Sequence, residues 1–213
     1  MKSLAVVLLN YNGIELLKKF LPKVLKYSLE AEVVVIDNNS TDNSLEIVNL
    51  FSDRTDIIIK NNSNYTPGSS INLGVLQASR KYILILSAHA QITSFKFEEV
   101  IKNLEQNISV FGKQIPIYKG KKITPRYIWN HFIDEKVINM FSKSENRYFF
   151  HNAFSFFKTS TLIEYPFNES FPGKEDRFWA ENIINKGNNL LYNPNLVCNH
   201  FYTSRGATWK GIG

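Results

Sequence analysis

Apolar residues fall along the first half of the chain in short unbroken runs, separated by stretches of helical spacing. Leu4–Leu9 (LAVVLL), Glu32–Ile36 (EVVVI), Ile57–Lys60 and Tyr82–Leu86 (YILIL) are rich in Val, Ile and Leu and show no polar alternation. That is the pattern of strands covered on both faces. Between them, Ile14–Tyr27 carries Ile14, Leu17, Leu21, Val24 and Leu25 near a period of 3.6, with Pro22 predicting a kink. Asp42–Phe51 sets Leu45, Val48 and Phe51 on one side and has Ser40 or Thr41 as its expected cap. Gly68–Ser79 turns Ile71, Val75 and Ala78 inward. Strand and helix therefore alternate over the first ~90 residues, which predicts an α/β fold with a parallel, doubly wound sheet.

The second half is less regular. Phe95–Gln106 reads as a helix and Ser109–Ile115 as a strand. Pro125–Phe141 has a helical stripe of Ile128, Trp129, Phe132, Ile133, Val137 and Phe141, fit for core packing or for a membrane or acceptor surface. Tyr148–Lys158 is aromatic and strand-like, and Pro166–Lys174 is a loop. Glu175–Lys186 is a helix stopped at Gly187, and Leu190–Tyr192 and Leu196–Val197 are two short extended pieces. The length suits one domain over 1–213, in a half over 1–115 and a half over 116–213.

A net charge of +6 with scattered basic residues argues against a nucleic-acid binder and suits an anionic ligand or an acidic membrane surface. One cysteine, Cys198, leaves no disulfide framework or thiolate metal cluster and fits a reducing compartment, as a small buried residue. No apolar stretch approaches the ~20 residues that span a bilayer, and Leu4–Leu9 is too short for a secretory leader. The expectation is a cytoplasmic protein, peripheral at most to the inner face of the membrane.

Chemistry-bearing residues gather where strands end. In open α/β sheets, ligands bind outside the carboxyl ends of the strands. Asn10-Tyr11-Asn12, Asp37-Asn38-Asn39-Ser40 and Ser87-Ala88-His89 each follow a predicted strand, so they should lie side by side. Asp37 suits a base or ribose hydroxyl, or a helix cap. No G-x-G-x-x-G and no G-x-x-x-x-G-K-S/T is present, which removes the main support for dinucleotide oxidoreductases, ATPases and nucleotidyltransferases. Glu175-Asp176 opens a helix, where carboxylates compensate the dipole or serve as a general base. His131 and His151 lie in aromatic segments and read as structural, with His151 also able to line an acceptor side. His89 and His200, without a carboxylate motif nearby, are weak grounds for a metal.

Taken together, these residues resemble a glycosyltransferase of family 2 with a GT-A fold, over nearly the whole chain. Leu4–Asn12 looks like the family's opening strand and nucleotide-contacting turn, and Val33–Ser44 like the second-strand motif whose aspartate contacts the base. Pro67–Gly74 resembles the segment lining the nucleotide sugar, Gly173–Trp179 the Glu-Asp motif, and Asn193–His200 the terminal strand that brings a histidine near the metal. The resemblance implies an inverting transferase acting on a nucleotide-diphosphate sugar and a glycan or lipid-linked acceptor, in bacterial surface polysaccharide synthesis. Asp176 would be the base, with Glu175 orienting it or holding acceptor hydroxyls. Asn10, Tyr11, Asn12, Asp37, Asn39, Ser40, Gly68, Asn72, Ser87 and His89 would contact the donor. Where the family usually has Asp-X-Asp, this chain has Ser87-Ala88-His89, similar to a subset of family 2 sequences. The resemblance then implies His89 and His200 as candidate ligands of a divalent metal, Mn or Mg. Imidazole suits softer cations than Mg, and a Ser hydroxyl and neutral His can also hydrogen-bond a diphosphate directly, without metal. The alternative reading is an inactive GT-A-like protein that binds the nucleotide sugar or serves as a scaffold.

Overall fold

The computed structural model describes residues 1–28, 30–51, 53, 57–63, 65–118, 121–122, 129–171 and 173–201. In chain order the elements are β1 (Leu4–Asn10), α1 (Ile14–Tyr27), β2 (Glu32–Asp37), α2 (Ser44–Asn49), β3 (Ile57–Asn61), α3 (Pro67–Gln77), β4 (Tyr82–Ser87), β5 (Ala90–Ser94) and α4 (Phe97–Gln106). There follow β6 (Ser109–Tyr118), β7 (Lys121–Lys122), a 3₁₀ turn (Trp129–His131), β8 (Val137–Ile138), β9 (Phe141–Ser142) and β10 (Arg147–Tyr148). The chain closes with β11 (Phe154–Lys158), α5 (Thr159–Glu164), α6 (Glu175–Asn185) and β12 (Leu190–Phe201).

The unbroken apolar runs are explained by the two cores. Leu4, Val6 and Leu8 of β1, Val33 and Val35 of β2, and Leu84 and Leu86 of β4 pack under α1, α2 and α4 through Leu17, Leu21, Val24, Val48, Val100 and Leu104. The alternate residues Ala5, Val7, Val34, Ile36, Ile83 and Ile85 pack on the other face under α3, α5 and α6, against Ile71, Val75, Leu162, Trp179 and Ile183. Both faces of each strand are dry, so no position is left for a polar residue until the strand ends. α1 continues through Pro22. α2 begins later than expected, after Asn43 in a left-handed conformation (φ 58°) with no side-chain cap. Ser40 is engaged elsewhere, as described below.

The main sheet runs β3-β2-β1-β4-β11-β6-β12-β5. β3, β2, β1 and β4 are parallel, as expected. The rest is mixed: β11 is antiparallel to both β4 and β6, and β5 is antiparallel to β12. β6 thus runs with β4 after the α4 crossover, and β11 is inserted between them in the opposite sense.

Three further expectations are corrected. Pro125–Phe141 is not a helix where it is described; residues 125–128 lie outside the described set. Tyr192 and Leu191 of β12 pair with Val137 and Ile138, and the Tyr192 hydroxyl donates to Ile133 O at 2.7 Å. Strand pairing overrides the local period, leaving Phe132 buried but Ile133 and Phe141 exposed. The two extended pieces near the end are one strand, β12, whose register slips between Asn193 and Val197, around Pro194, which has no N–H to give. The polar stretch after Ser87 is a two-residue turn into β5, whose alternation is too short to register in the sequence.

That turn constrains the sheet's shape. Flat, the four steps from β4 to β5 would span ~19 Å. The three Cα–Cα links from Ser87 to Ala90 reach at most ~11 Å. The sheet therefore curls, bringing the end of β12 and β5 back over the carboxyl end of β4. The Phe201 N–H donates to His89 O at 2.8 Å, and Phe201 packs on Phe20 of α1 with ring centroids 4.7 Å apart.

Gly112 sits on β6 beside the slip in β12. A Cβ there would lie 2.5 Å from Phe154 Cδ1 and 2.6 Å from Leu196 O. Gly112→Ala should therefore cost ~1–3 kcal/mol of stability by overpacking, read as a lower denaturation midpoint with an unchanged slope.

Candidate active site

The parallel register sets the floor of the site. Asn10 stands opposite Asp37, and Leu9 opposite Ser87. The three predicted strand ends are thus neighbours, and short side chains bind them together. Asn10 Nδ2 donates to Asp37 Oδ1 (2.8 Å) and Ser40 Oγ (3.2 Å), and the Ser40 N–H and Oγ–H both donate to the Asp37 carboxylate. Asp37 is 1% exposed. Its oxygens hold the first two strand ends together, rather than standing open to solvent. Asn12, at φ 46°, donates its N–H to Ser40 Oγ at 2.9 Å and accepts from Thr41 N, and Asn39 beside it is also left-handed at φ 59°. Asp42 and Ser44 cap the start of α1, accepting from the N–H groups of Ile14 (2.9 Å) and Gly13 (3.1 Å).

Above this floor Tyr11, 56% exposed, stacks on Tyr65 with centroids 5.7 Å apart and planes 12° from parallel. Gly68 and Asn72 adjoin the loop before α6. Asn72 Nδ2 donates to Phe167 O (2.8 Å) and Glu169 Oε1 (2.9 Å), and its Oδ1 accepts from Phe167 N (3.0 Å). A Cβ at Gly68 would lie 3.0 Å from Asn168 O. Both residues dock the loop before α6 onto α3.

The curl of the sheet brings three histidines together. His89 meets His200 edge to face at 4.6 Å between centroids, and His200 meets His151 at 5.6 Å. Gln114 of β6 bridges two of them: its Oε1 lies 2.7 Å from His200 Nδ1 and its Nε2 3.1 Å from His151 Nδ1. A carbonyl oxygen only accepts and an amide nitrogen donates, so the amide selects Nδ1–H on His200 and Nε2–H on a neutral His151. Burial pushes all three imidazoles down, His89 to about 4 and His151 to about 3, with the charges of His89, Arg147 and Arg177 adding to the effect on His151.

β11 runs antiparallel to β4, so its start returns to the same edge: the Ser87 N–H donates to Ala153 O at 3.2 Å. Asn152 next to it reaches Glu175 Oε1 at 3.4 Å, bringing the first turn of α6 to the site. Glu175 is 6% exposed, and its Oε2 is buried with no hydrogen-bond partner among the described residues. Burial raises its pKa. Asp176 is pushed up to about 7, by burial first and then by Glu175, against the opposing charges of Arg177 and Arg147. Arg147 arrives on the β9–β10 hairpin, paired with Glu145. His151 relates the two groups: it packs on His200, which meets His89, and its pKa is lowered by Arg147 and Arg177, whose charges also act on Asp176. A cavity of about 360 Å³ lined by Pro166, Asn168, Phe178, Trp179 and Asn182 opens elsewhere. Around α6, Phe178 lies nearly half a turn and Asn182 about a third of a turn from Asp176.

Tyr65, Gln114 and Arg147 were not singled out from the sequence; His151 was read as structural or as lining an acceptor side, and Arg177 only as part of the Glu-Asp segment. Arg177 adjoins the Glu-Asp pair, which was a usable signal. Gln114 and Arg147 sit in strands whose pairing only the tertiary structure reveals.

A divalent cation on a diphosphate prefers oxygen donors. The β4 end offers a serine hydroxyl and imidazoles packed on one another. Among the described residues no group of three or more His, Cys, Asp or Glu side chains is arranged to hold a metal. This donor set does not fit Mn²⁺ or Mg²⁺.

Comparison with known proteins gives three findings. A family model described as glycosyl transferase family 2 matches residues 5–166. The GalNAc(5)-diNAcBac-PP-undecaprenol beta-1,3-glucosyltransferase of Campylobacter jejuni is 26% identical over 189 residues, 84% of this chain and 59% of that protein. Among solved structures, S. aureus TarS 1-349 in complex with UDP-GlcNAc superposes with a TM-score of 0.75 at 17% identity, covering 99% of this chain and 62% of that one. The mannosyltransferase PcManGT from Pyrobaculum calidifontis, in complex with GDP-Man and Mn²⁺, does so with a TM-score of 0.70 at 18% identity, covering 98% and 59%. The chain spans about 60% of the length of these relatives. The architecture is the expected GT-A fold.

The titrating groups make an opposed pair of pH effects. The three histidines bind protons more weakly folded than unfolded, so acidification from about pH 6.5 towards 4 destabilises the fold. Asp176 binds its proton more tightly folded, which favours the fold as pH falls from about 7 towards 4. With three histidines against two carboxyls, Asp176 and Glu175, the melting temperature should drop across this window, and His89→Asn should shift the balance towards the carboxyls and flatten the slope.

Proposed function

Because this chain belongs to glycosyl transferase family 2, we propose that it moves a sugar from a nucleotide-diphosphate donor to a hydroxyl of a glycan or lipid-linked acceptor, with inversion. The observation that supports this reading is the Asn152–Glu175 contact, which brings the first turn of α6, with Asp176 next in sequence, beside the start of β11. The donor lies across the ends of β1, β2 and β4. The exposed Tyr11–Tyr65 stack offers an aromatic face to its base, and Asn12, Asn39 and Ser40 line the turn beneath. Asp37 acts there by holding the turn in shape.

In the transfer step the acceptor oxygen bonds to the anomeric carbon as the bond to the diphosphate breaks on the opposite face. The acceptor's proton passes to an Asp176 oxygen, and the electron pair leaves with the nucleoside diphosphate. A carboxyl pushed up to about 7 is a far better base than an ordinary aspartate while still partly ionised at neutral pH. Glu175, with one buried oxygen unpartnered among the described residues, can accept from an acceptor hydroxyl and orient the attack.

An acceptor carried on a lipid diphosphate is supported by the name of the Campylobacter relative. A place in bacterial surface polysaccharide synthesis, at the inner membrane face, follows from that chemistry. No helix of the described residues is long and apolar enough to cross a membrane, so such an association would be peripheral in this part of the chain. A second reading, a nucleotide-sugar-binding protein without transfer, draws on the Ser87-Ala88-His89 turn standing where an acidic motif is expected. It predicts donor binding with no sugar released in the presence of any acceptor.

Asp176→Asn should keep nucleoside diphosphate affinity and lower transfer ~10²–10⁴-fold. Calorimetry alongside a labelled-sugar assay measures both, and normal transfer by that variant rejects the assignment. In the parent protein kcat/KM should rise with pH through a step near 7, since the base must be ionised, and the step should vanish in the variant.

A further inference from the structure

The leaving group of the proposed reaction is a diphosphate, and the histidine turn gives a metal no oxygen-rich seat. We propose that this chain meets the diphosphate charge with Arg147 and Arg177, assisted by neutral imidazole donors, in place of a divalent cation. The inference rests on the transferase reading and concerns the same cleft.

The topology brings the two guanidinium groups there by separate routes. β11 begins at the carboxyl end of β4, and Arg147 lies only four residues before His151 at that start. Its hairpin packs on α6, whose first turn carries Arg177 directly after Asp176. Arg147 is held rather than loose. Its Nη1 donates to Tyr148 O at 3.0 Å, Nη2 pairs with Glu145, and the guanidinium lies 5.9 Å from the Phe149 ring centre. The side chain is 14% exposed, and Nε is buried with no hydrogen-bond partner among the described residues. A fixed planar fork of this kind suits a phosphate oxygen, and its charge does not titrate away.

The charges that act on it are Arg177, Glu145 and Asp176, and on the strand side His151 feels both arginines. Glu145 cancels about one of the two guanidinium charges. Burial raises the pKa of Glu175 and Asp176, but transfer needs Asp176 ionised, so the arginines act on the anion through placed donors rather than through a net positive charge. The Gln114 amide leaves neutral His151 with its proton on Nε2, a donor that needs no charge of its own. Preorganised donors in a desolvated site can stabilise a leaving anion as strongly as a counter-ion does.

The test uses the full chain with a donor and acceptor chosen from a panel, and UDP and GDP as binding probes. Affinity and transfer are compared in EDTA and in saturating Mn²⁺ or Mg²⁺. The expected result is that the two conditions agree within about twofold, a difference too small to reflect a bridging cation. Arg147→Gln should weaken nucleoside diphosphate binding at least ~10-fold and lower kcat/KM ~10²-fold, with Arg147→Lys between it and the parent. Melting curves identify variants that remain folded, and Arg177→Gln repeats the test on a different element. Binding or transfer that needs Mn²⁺ or Mg²⁺ overturns the proposal, as does unchanged binding by folded Arg147→Gln and Arg177→Gln. If UDP and GDP bind in EDTA but no sugar moves in any condition, the transferase reading fails while the charge proposal survives.

Discussion

The site depends on the parallel pairing of β1 between β2 and β4. Once Asn10 stands beside Asp37 and Leu9 beside Ser87, the polar residues ending each strand have no freedom to be elsewhere. A slip of one residue in either ladder would turn Asp37 or Ser87 to the opposite face and bury it under a helix. The two dry cores forbid that, because each strand uses alternate residues to fill a different one. Packing far from the chemistry thereby fixes its geometry.

The first half of the fold was legible because its signals are local. Val6 and Val7 differ in the face they serve, yet both must be apolar, so the strand shows itself as a run. The second half depends on pairings between distant segments. β5, β8 and β10 are two to five residues long and exist because β12, or a hairpin partner, stands next to them. The stripe through Phe132 and Val137 has helical spacing but is consumed by β12. Of the candidate residues, Ser87, His89, Glu175 and Asp176 sit where strand ends and helix starts predicted. Asp37 and Asn72 are engaged in holding backbone and loop, a use that depends on partners such as Ser40 and Phe167.

Burial weakens the ionisation of the titratable groups here. It pushes the imidazoles near the β4 end towards neutrality and makes the carboxyls of α6 weaker acids, while the nearby arginines keep their charge. Fixing the imidazole tautomers falls to Gln114, a residue with no chemistry of its own. Low dielectric strengthens each remaining charge, so a few residues can supply what a hydrated surface would need many to provide.

The curl of the sheet has a mechanical consequence. The short tether from β4 to β5 and the main-chain bond from Phe201 to His89 pin the histidine wall to the floor. That wall cannot swing outward without breaking sheet pairing. The opposite bank is held differently: the described part of the loop ahead of α6 is fastened to α3 by the amide of Asn72 and the close approach at Gly68, and to the core by buried Phe167.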